Sequence, residues 1–167
     1  MMYETERLNL RPPRASDASG LFRFLGDKSV MRFTQPHPSL DHTHHYLQAH
    51  EANREKTGHA PWVVLEKSRN KIIGFGGLYE DPFEPGWGLE VGYYFAPSAW
   101  GKGYVTELIR FCLALLRQSR ALCEVKAFAH PENAASRSVL LKAGFTEERF
   151  IPSMNRHLYR ASLLPET

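Results

Sequence analysis

The sequence predicts a mixed α+β fold, a mainly antiparallel sheet of six to seven strands flanked by about four helices. The chain has 167 residues, the usual length of one domain, so we expect a single domain over residues 1–167. Hydrophobic residues make up 43% of the chain, which is enough to build a core. Strand-like alternation and helical periodicity follow one another in the order β-α-α-β-β-β-α-β-α-β-β.

The first third of the chain predicts one strand and two helices. Residues 8–10 form a strand that ends at the two following prolines. A helix opens at Asp17 and ends near Gly26. Residues 28–58 have an irregular pattern, which predicts a surface segment with a second helix capped by Asp41.

The middle of the chain predicts a three-stranded antiparallel meander followed by a long amphipathic helix. Its strands cover residues 61–66, 72–79 and 89–95, with turn-forming residues between them. The helix follows Pro97, and its apolar residues recur at helical spacing. They are Val105, Leu108, Ile109, Cys112, Leu115 and Leu116.

The last third predicts a strand over residues 124–129 and a short helix over residues 133–142. Gly144 is placed to end that helix, because glycine is favoured just after a helix C-terminus. The remaining segment, residues 146–159, has the pattern of two final strands.

Composition argues against several classes of function. The net charge is +3 with no basic block, so we expect no nucleic-acid partner. The longest apolar run covers residues 111–116, far short of the roughly 20 residues that span a bilayer. The first residues lack an export leader and two cysteines cannot build a disulfide framework, so we expect a cytoplasmic protein. Cys112 and Cys123 are interpreted as core thiols. Four histidines lack partners at metal-binding spacing and predict a solvated helix rather than a metal site: His42, His44, His45 and His50.

The segment with the clearest chemical signal lies between the third meander strand and the long helix. Gly101 and Gly103 lack Cβ atoms, so the backbone can turn inward and direct successive N–H groups at one point. The unpaired donors of the helix N-terminus add to this arrangement, which suits a phosphate or pyrophosphate. A plain glycine turn is the alternative explanation. The spacings of a Walker loop and of a dinucleotide-binding fold are both absent.

Residues 97–107, together with residues 91–95, 131–136 and 142–145, resemble the GNAT superfamily of acyl-CoA-dependent N-acetyltransferases. Upstream, residues 4–12, 17–18 and 27–33 are similar to the RimJ/RimL branch, which acetylates protein N-terminal amines. The resemblance extends from about residue 5 to residue 159. It implies a splayed sheet and acetyl-CoA as co-substrate, without a metal.

The resemblance also implies where acetyl-CoA binds. The pantetheine arm would pair with backbone beyond a bulge at Phe95, for which Gly92 is suited, and residues 100–106 would surround the pyrophosphate. Asn133 resembles the asparagine that contacts the pantetheine, and a role limited to capping its helix is the alternative. The full cofactor-binding set is Phe95, Ala96, Trp100, Gly101, Lys102, Gly103, Tyr104, Val105, Thr106, Asn133, Ser136 and Arg137.

Two residues are the catalytic candidates. Glu90 is the predicted base, acting through water, because alternation places it on the strand face opposite Val91. A solvated strand carboxylate is the alternative. Leu140 stands where many GNAT enzymes have a tyrosine that protonates the leaving thiolate, and Ser136 resembles the serine of the RimJ/RimL branch as its substitute. Ser98 is a second departure, at a position where the family often has Gln or Arg.

The expected activity is transfer of an acetyl group from acetyl-CoA to a primary amine, by direct attack within a ternary complex. An N-terminal α-amine, with a pKa of about 7.7–8.0, is roughly a tenth neutral near pH 7, far more than a lysine side chain. A protein or peptide N-terminus is therefore the first expected acceptor. A small-molecule amine and a non-catalytic acyl-CoA sensor are the alternatives, and a homodimer is left open.

Overall fold

The computed structural model describes residues 1–165, so the last two positions of the predicted domain lie outside the described residues. One eight-stranded sheet runs through the molecule in the order β1-β2-β3-β4-β5-β6-β8-β7. The strands are β1 Tyr3–Glu4, β2 Leu8–Arg11, β3 Trp62–Glu66, β4 Lys71–Tyr79, β5 Glu90–Phe95, β6 Glu124–Ala129, β7 Thr146–Ile151 and β8 Arg156–Ser162. The helices are α1 Ala18–Leu25, α2 Leu40–Thr57, α3 Tyr104–Ser119 and α4 Ala134–Lys142.

The mixed α+β fold with a mainly antiparallel sheet is confirmed, with two corrections. The sheet has eight strands rather than six or seven, because β1 adds a two-residue edge pairing with β2. The cap of α2 is Ser39 rather than Asp41. The Ser39 backbone is extended, at φ −158°, and its hydroxyl accepts the N–H of His42 at 3.1 Å.

The helices cover both faces of the sheet. One core lies against α3 and α4, where the fully buried Leu108, Cys112 and Leu140 meet the strands. A second core lies against α1 and α2, around Leu21 and Phe75. The interpretation of Cys123 as a core thiol is wrong, because it lies exposed in the connection before β6.

The sheet opens between two of its interior strands, β5 and β6. β5 and β6 are its one parallel pair in the described chain, and they pair only at Glu90 with Lys126 and at Val91 with Ala127. Beyond Val91, residues 92–95 have no strand partner on the β6 side within residues 1–165. The two strands therefore diverge and leave a slot.

The predicted bulge in β5 is wrong. β4 and β5 pair from Gly74 with Phe95 to Tyr79 with Glu90 without a shift in register. Gly92 is needed for a different reason, since a Cβ at this position would overlap the hydroxyl of Tyr79 on the neighbouring strand. The slot thus forms because the parallel pairing between β5 and β6 ends after Val91.

Candidate active site

The backbone of β5 presents unpaired polar groups to the slot. The N–H of Ala96 donates to Ile73 on β4 at 2.9 Å, so strand alternation directs the N–H groups of Tyr93 and Phe95 the other way, toward β6. The carbonyl of Phe95 already accepts the indole N–H of Trp100 at 2.9 Å. Phe95 therefore offers its N–H to a ligand, whereas Ala96 offers neither group, because its carbonyl already accepts the N–H of Ala99 at 2.9 Å.

The predicted glycine loop has the backbone of an anion site. Gly101 and Gly103 have φ values of 71° and 80°, a left-handed conformation that favours glycine. Among the hydrogen bonds of residues 1–165, no acceptor is found for the N–H groups of residues 101–106. No heavy atom lies within 4 Å of the position that a Cβ on Gly101 would take. Six successive donors at the start of α3 are therefore without an acceptor, which fits a pyrophosphate.

The N-terminal segment fixes this loop in place. The guanidinium of Arg7 donates to the carbonyl of Lys102 at 2.8 Å and to the carboxylate of Glu107 at 2.7 Å. The Arg7 guanidinium also lies 4.4 Å from the centre of the Tyr104 ring, whose hydroxyl donates to Glu66 at 2.9 Å. Tyr104 is buried and contributes only its N–H to the loop. Sequence reasoning missed this anchor, because Arg7 and Glu107 are 100 residues apart.

The start of α4 lies on the other side of the slot. The side chain of Asn133 accepts the N–H of Ser136 at 3.1 Å, so its capping role is confirmed while its amide NH₂ stays a candidate for cofactor contact. The Arg137 guanidinium donates to the hydroxyl of Tyr159 at 3.1 Å, to the carbonyl of Pro131 at 2.9 Å and to Glu147 at 3.2 Å. A phosphate would have to compete with these bonds, so Arg137 is the weakest member of the predicted set.

Glu90 is buried in a cavity of about 110 Å³ where the slot begins. Its side chain is only 7% exposed, which is inconsistent with a solvated strand carboxylate. Burial raises the pKa of Glu90 to about 8, and the nearby charge of Asp81 adds to the effect. The carboxyl group is therefore a much stronger base, when ionised, than an exposed glutamate.

Ser136 of α4 and Tyr93 of β5 line the same cavity as Glu90. Glu90 extends from the opposite face of β5. The two hydroxyls are 2.9 Å apart. Glu90 and Tyr93 are three residues apart along β5, so alternation sends their side chains to opposite faces. Leu140 lines the cavity as well, and its hydrocarbon side chain has no proton to donate there. Sequence reasoning missed Tyr93 as a polar residue of the cavity. Strand alternation places Tyr93 on the same face of β5 as Val91, and this was the one signal available in the sequence.

The histidines do not form a metal centre. No three metal-ligating side chains come together anywhere in residues 1–165. His50 does not belong to a solvated face as predicted, because it is 1% exposed and packs 5.2 Å from the ring of Tyr79. Within the same described range, no helix is long and apolar enough to cross a membrane.

The slot, the free donors of the glycine loop and the buried carboxyl are the features expected of a transferase that uses an acyl-CoA. A profile of the acetyltransferase (GNAT) domain matches residues 7–146. The chain belongs to the GNAT family and is an N-acetyltransferase, an acyltransferase by class. The family resemblance found in the sequence is thus confirmed.

Individual relatives agree with this assignment. Uncharacterized protein YkkB of Bacillus subtilis (strain 168) is 28% identical over 153 residues, covering 91% of this chain and 89% of the relative. The acetyltransferase from Agrobacterium tumefaciens str. C58 superposes with a TM-score of 0.82 at 22% identity, covering 96% of this chain and 93% of that one. RimL, a ribosomal L7/L12 alpha-N-protein acetyltransferase solved with coenzyme A, gives a TM-score of 0.80 at 15% identity, covering 97% and 98% of the two chains. RimL enzymes are therefore among the structural neighbours of this fold.

Proposed function

We propose that this protein transfers the acetyl group of acetyl-CoA to the N-terminal α-amine of a protein or peptide. The observation that carries the proposal is a single cavity lined by Glu90 from one face of β5 and by Ser136 from the other. Attack by an amine and departure of a thiolate need a proton acceptor on one side of the carbonyl carbon and a proton donor on the other. The cavity supplies one of each.

Each residue of the slot has one task in this mechanism. Acetyl-CoA supplies the activated acetyl thioester. The donors of residues 101–106 hold its pyrophosphate, and the N–H of Phe95 is directed toward the slot, where it can stabilise charge on the thioester oxygen. Glu90 accepts the proton of the attacking amine, directly or through water. Ser136 donates a hydrogen bond to the departing sulfur. Neither cysteine takes part, since Cys112 is buried in the core and the exposed Cys123 does not line the cavity.

The acid–base properties of Glu90 favour an α-amine as the acceptor. The pKa of Glu90, raised to about 8, matches the pKa of about 7.7–8.0 of an N-terminal α-amine, so proton transfer between them is nearly balanced. Proton transfer to Glu90 from a lysine ammonium, with a pKa of about 10.4, is unfavourable by about two pKa units. The RimL neighbour, named as an alpha-N-protein acetyltransferase, supports the same acceptor class.

A panel of amines tests the acceptor class. The protein is first titrated calorimetrically with acetyl-CoA, and thiol release is then followed with each amine. The matched pair is one peptide with a free N-terminus and a blocked lysine, and the same peptide with a blocked N-terminus and a free lysine. We expect kcat/KM to be at least about 100-fold higher for the free N-terminus.

Other outcomes of the panel favour other functions. Preference for a diamine or an amino sugar over every peptide would replace the protein N-terminus by a small-molecule acceptor. The open cleft between α2 and the β4–β5 connection, which carries Glu80 and Asp81, is where a polycationic amine would then be expected. Binding of acetyl-CoA without release by any amine would contradict catalysis and favour an acyl-CoA sensor.

A further inference from the structure

We infer that Tyr93 and Ser136 form a two-hydroxyl relay of hydrogen bonds that stabilises the departing CoA thiolate. The inference rests on the proposed function and adds to it a positioning residue, Tyr93, outside the predicted site. Its basis is geometric, because the hydroxyls of Tyr93 and Ser136 are hydrogen-bonded at 2.9 Å and both line the cavity on the side away from Glu90. Leu140 lines the same cavity but is apolar and offers no hydrogen-bond donor there.

The direction of the hydrogen bond follows from the chemistry of the two groups. A phenol is a stronger acid than an aliphatic alcohol, so Tyr93 donates and the Ser136 oxygen accepts. The hydrogen of Ser136 is then free to point into the slot. Burial raises the pKa of Tyr93 to about 12, which keeps the phenol protonated, and therefore a donor, across the working pH range.

The backbone holds both hydroxyls in place. The N–H of Ser136 is bonded to the Asn133 cap at 3.1 Å, which fixes the first turn of α4. Tyr93 follows directly on Gly92 in β5, and its own N–H faces the slot. The strand that borders the slot therefore also holds the Tyr93 side chain in place. A hydroxyl pair fixed from two elements is preorganised to stabilise charge as it develops on sulfur.

The proton balance of the step is complete. The amine nitrogen forms the bond to the acetyl carbon, the carbon–sulfur bond breaks, and the amine proton passes to Glu90. Sulfur leaves as a thiolate that accepts the hydrogen bond of Ser136, whose oxygen accepts the hydrogen bond of Tyr93, so both hydroxyls keep their protons. Glu90 then releases its proton to water, and the thiolate takes one from water when CoA leaves.

The test measures the thiol of bound CoA and needs no acceptor amine. CoA is bound to the protein, and the absorbance of its thiolate is followed against pH for the wild type, Tyr93→Phe and Ser136→Ala. Hydrogen bonds to the charged form lower a pKa, so we expect the bound thiol of the wild type to titrate about one unit below free CoA. In both variants the thiol pKa should return toward that of free CoA, with the affinity for CoA changed less than about threefold.

Single-turnover transfer gives the matching kinetic result. Tyr93→Phe should lower the rate about 10- to 100-fold, the effect of one hydrogen bond to a charged group, and the double variant should be no slower than Ser136→Ala alone. Tyr3→Phe is the control, because it removes a hydroxyl from a ring packed against Trp62 and Phe111 at the β1 edge of the sheet, and Tyr3 does not line the cavity. The control should leave both the thiol pKa and the rate unchanged.

The outcomes separate the relay from the proposed function. An unchanged thiol pKa in Tyr93→Phe, together with normal transfer by the wild type, would overturn the relay alone. If Tyr93→Phe fails to fold, Ser136→Ala breaks the same hydrogen bond from the other residue, and an unchanged thiol pKa there has the same meaning. Failure of the wild type to bind CoA would instead overturn the proposed function as well.

Discussion

Replacing Gly103 with valine is expected to abolish acetyl-CoA binding. Gly103 has a φ of 80°, and a β-branched residue is an outlier in this left-handed conformation. The backbone must shift to relieve the strain, and the shift redirects the N–H groups that grip the pyrophosphate. The Cβ would also lie 3.4 Å from the Arg7 guanidinium that anchors the loop. Calorimetric titration should show affinity for acetyl-CoA reduced by at least about 100-fold, the loss of about two charge-assisted hydrogen bonds.

Gly58→Val is the matched control for this substitution. Gly58 follows α2 with a φ of 82°, almost the same backbone conformation, and no heavy atom lies within 4 Å of its Cβ position. Both variants therefore carry the same backbone strain and should lose similar thermal stability, but Gly58→Val should bind acetyl-CoA normally. Wild-type affinity in Gly103→Val would remove the assignment of the pyrophosphate site.

Replacing Glu90 with glutamine is expected to lower the rate and raise the stability together. Loss of a general base with a matched pKa lowers kcat by about 10²–10⁴-fold. The wild-type rate should fall as the pH drops below about 8, because protonated Glu90 cannot accept the amine proton. The variant should lose this dependence. The rates are measured with an acceptor amine that is already neutral at the lowest pH used, so that its own titration does not contribute.

The stability change has a defined pH range. Glu90 has a pKa near 4.5 when the chain is unfolded and about 8 when it is folded, so the folded protein binds more protons between these values. Stability therefore falls as the pH rises from about 4.5 to 8, and it stays lower above 8. A neutral glutamine avoids this loss. Tm of Glu90→Gln should exceed that of the wild type by several degrees at pH 9 and by little at pH 4, whereas a lower Tm at pH 9 would contradict the burial of an ionised carboxyl.

The sequence was most informative where local pattern determines structure. The apolar stripe that includes Leu108 and Cys112 gave α3, and the bounds of β6 were predicted correctly at Glu124–Ala129. The left-handed backbone conformation of Gly101 and Gly103 was also predictable, because both glycines lie in the turn before a helix. Ser39 was missed as the cap of α2, since two prolines close before it suggested an irregular segment.

The remaining features depend on contacts between distant parts of the chain. β1 is too short for any periodicity and forms only because Tyr3 meets Leu10 on β2. The role of Gly92 depends on the Tyr79 hydroxyl of the neighbouring strand, which no spacing in the sequence reveals. The hydrogen bond between Tyr93 and Ser136 likewise joins residues 43 positions apart. Alternation indicates a face of the sheet, but it cannot identify the partner on that face.

The most direct test of the account is amide hydrogen exchange with and without acetyl-CoA. The central claim is that backbone N–H groups of β5 and of the glycine loop hold the co-substrate, and amides without an acceptor exchange rapidly until a ligand protects them. We predict that acetyl-CoA slows exchange at residues 101–106 and at Tyr93 and Phe95, while Ala96, already bonded to Ile73, changes little. Binding of acetyl-CoA with unchanged exchange in both segments would contradict the account.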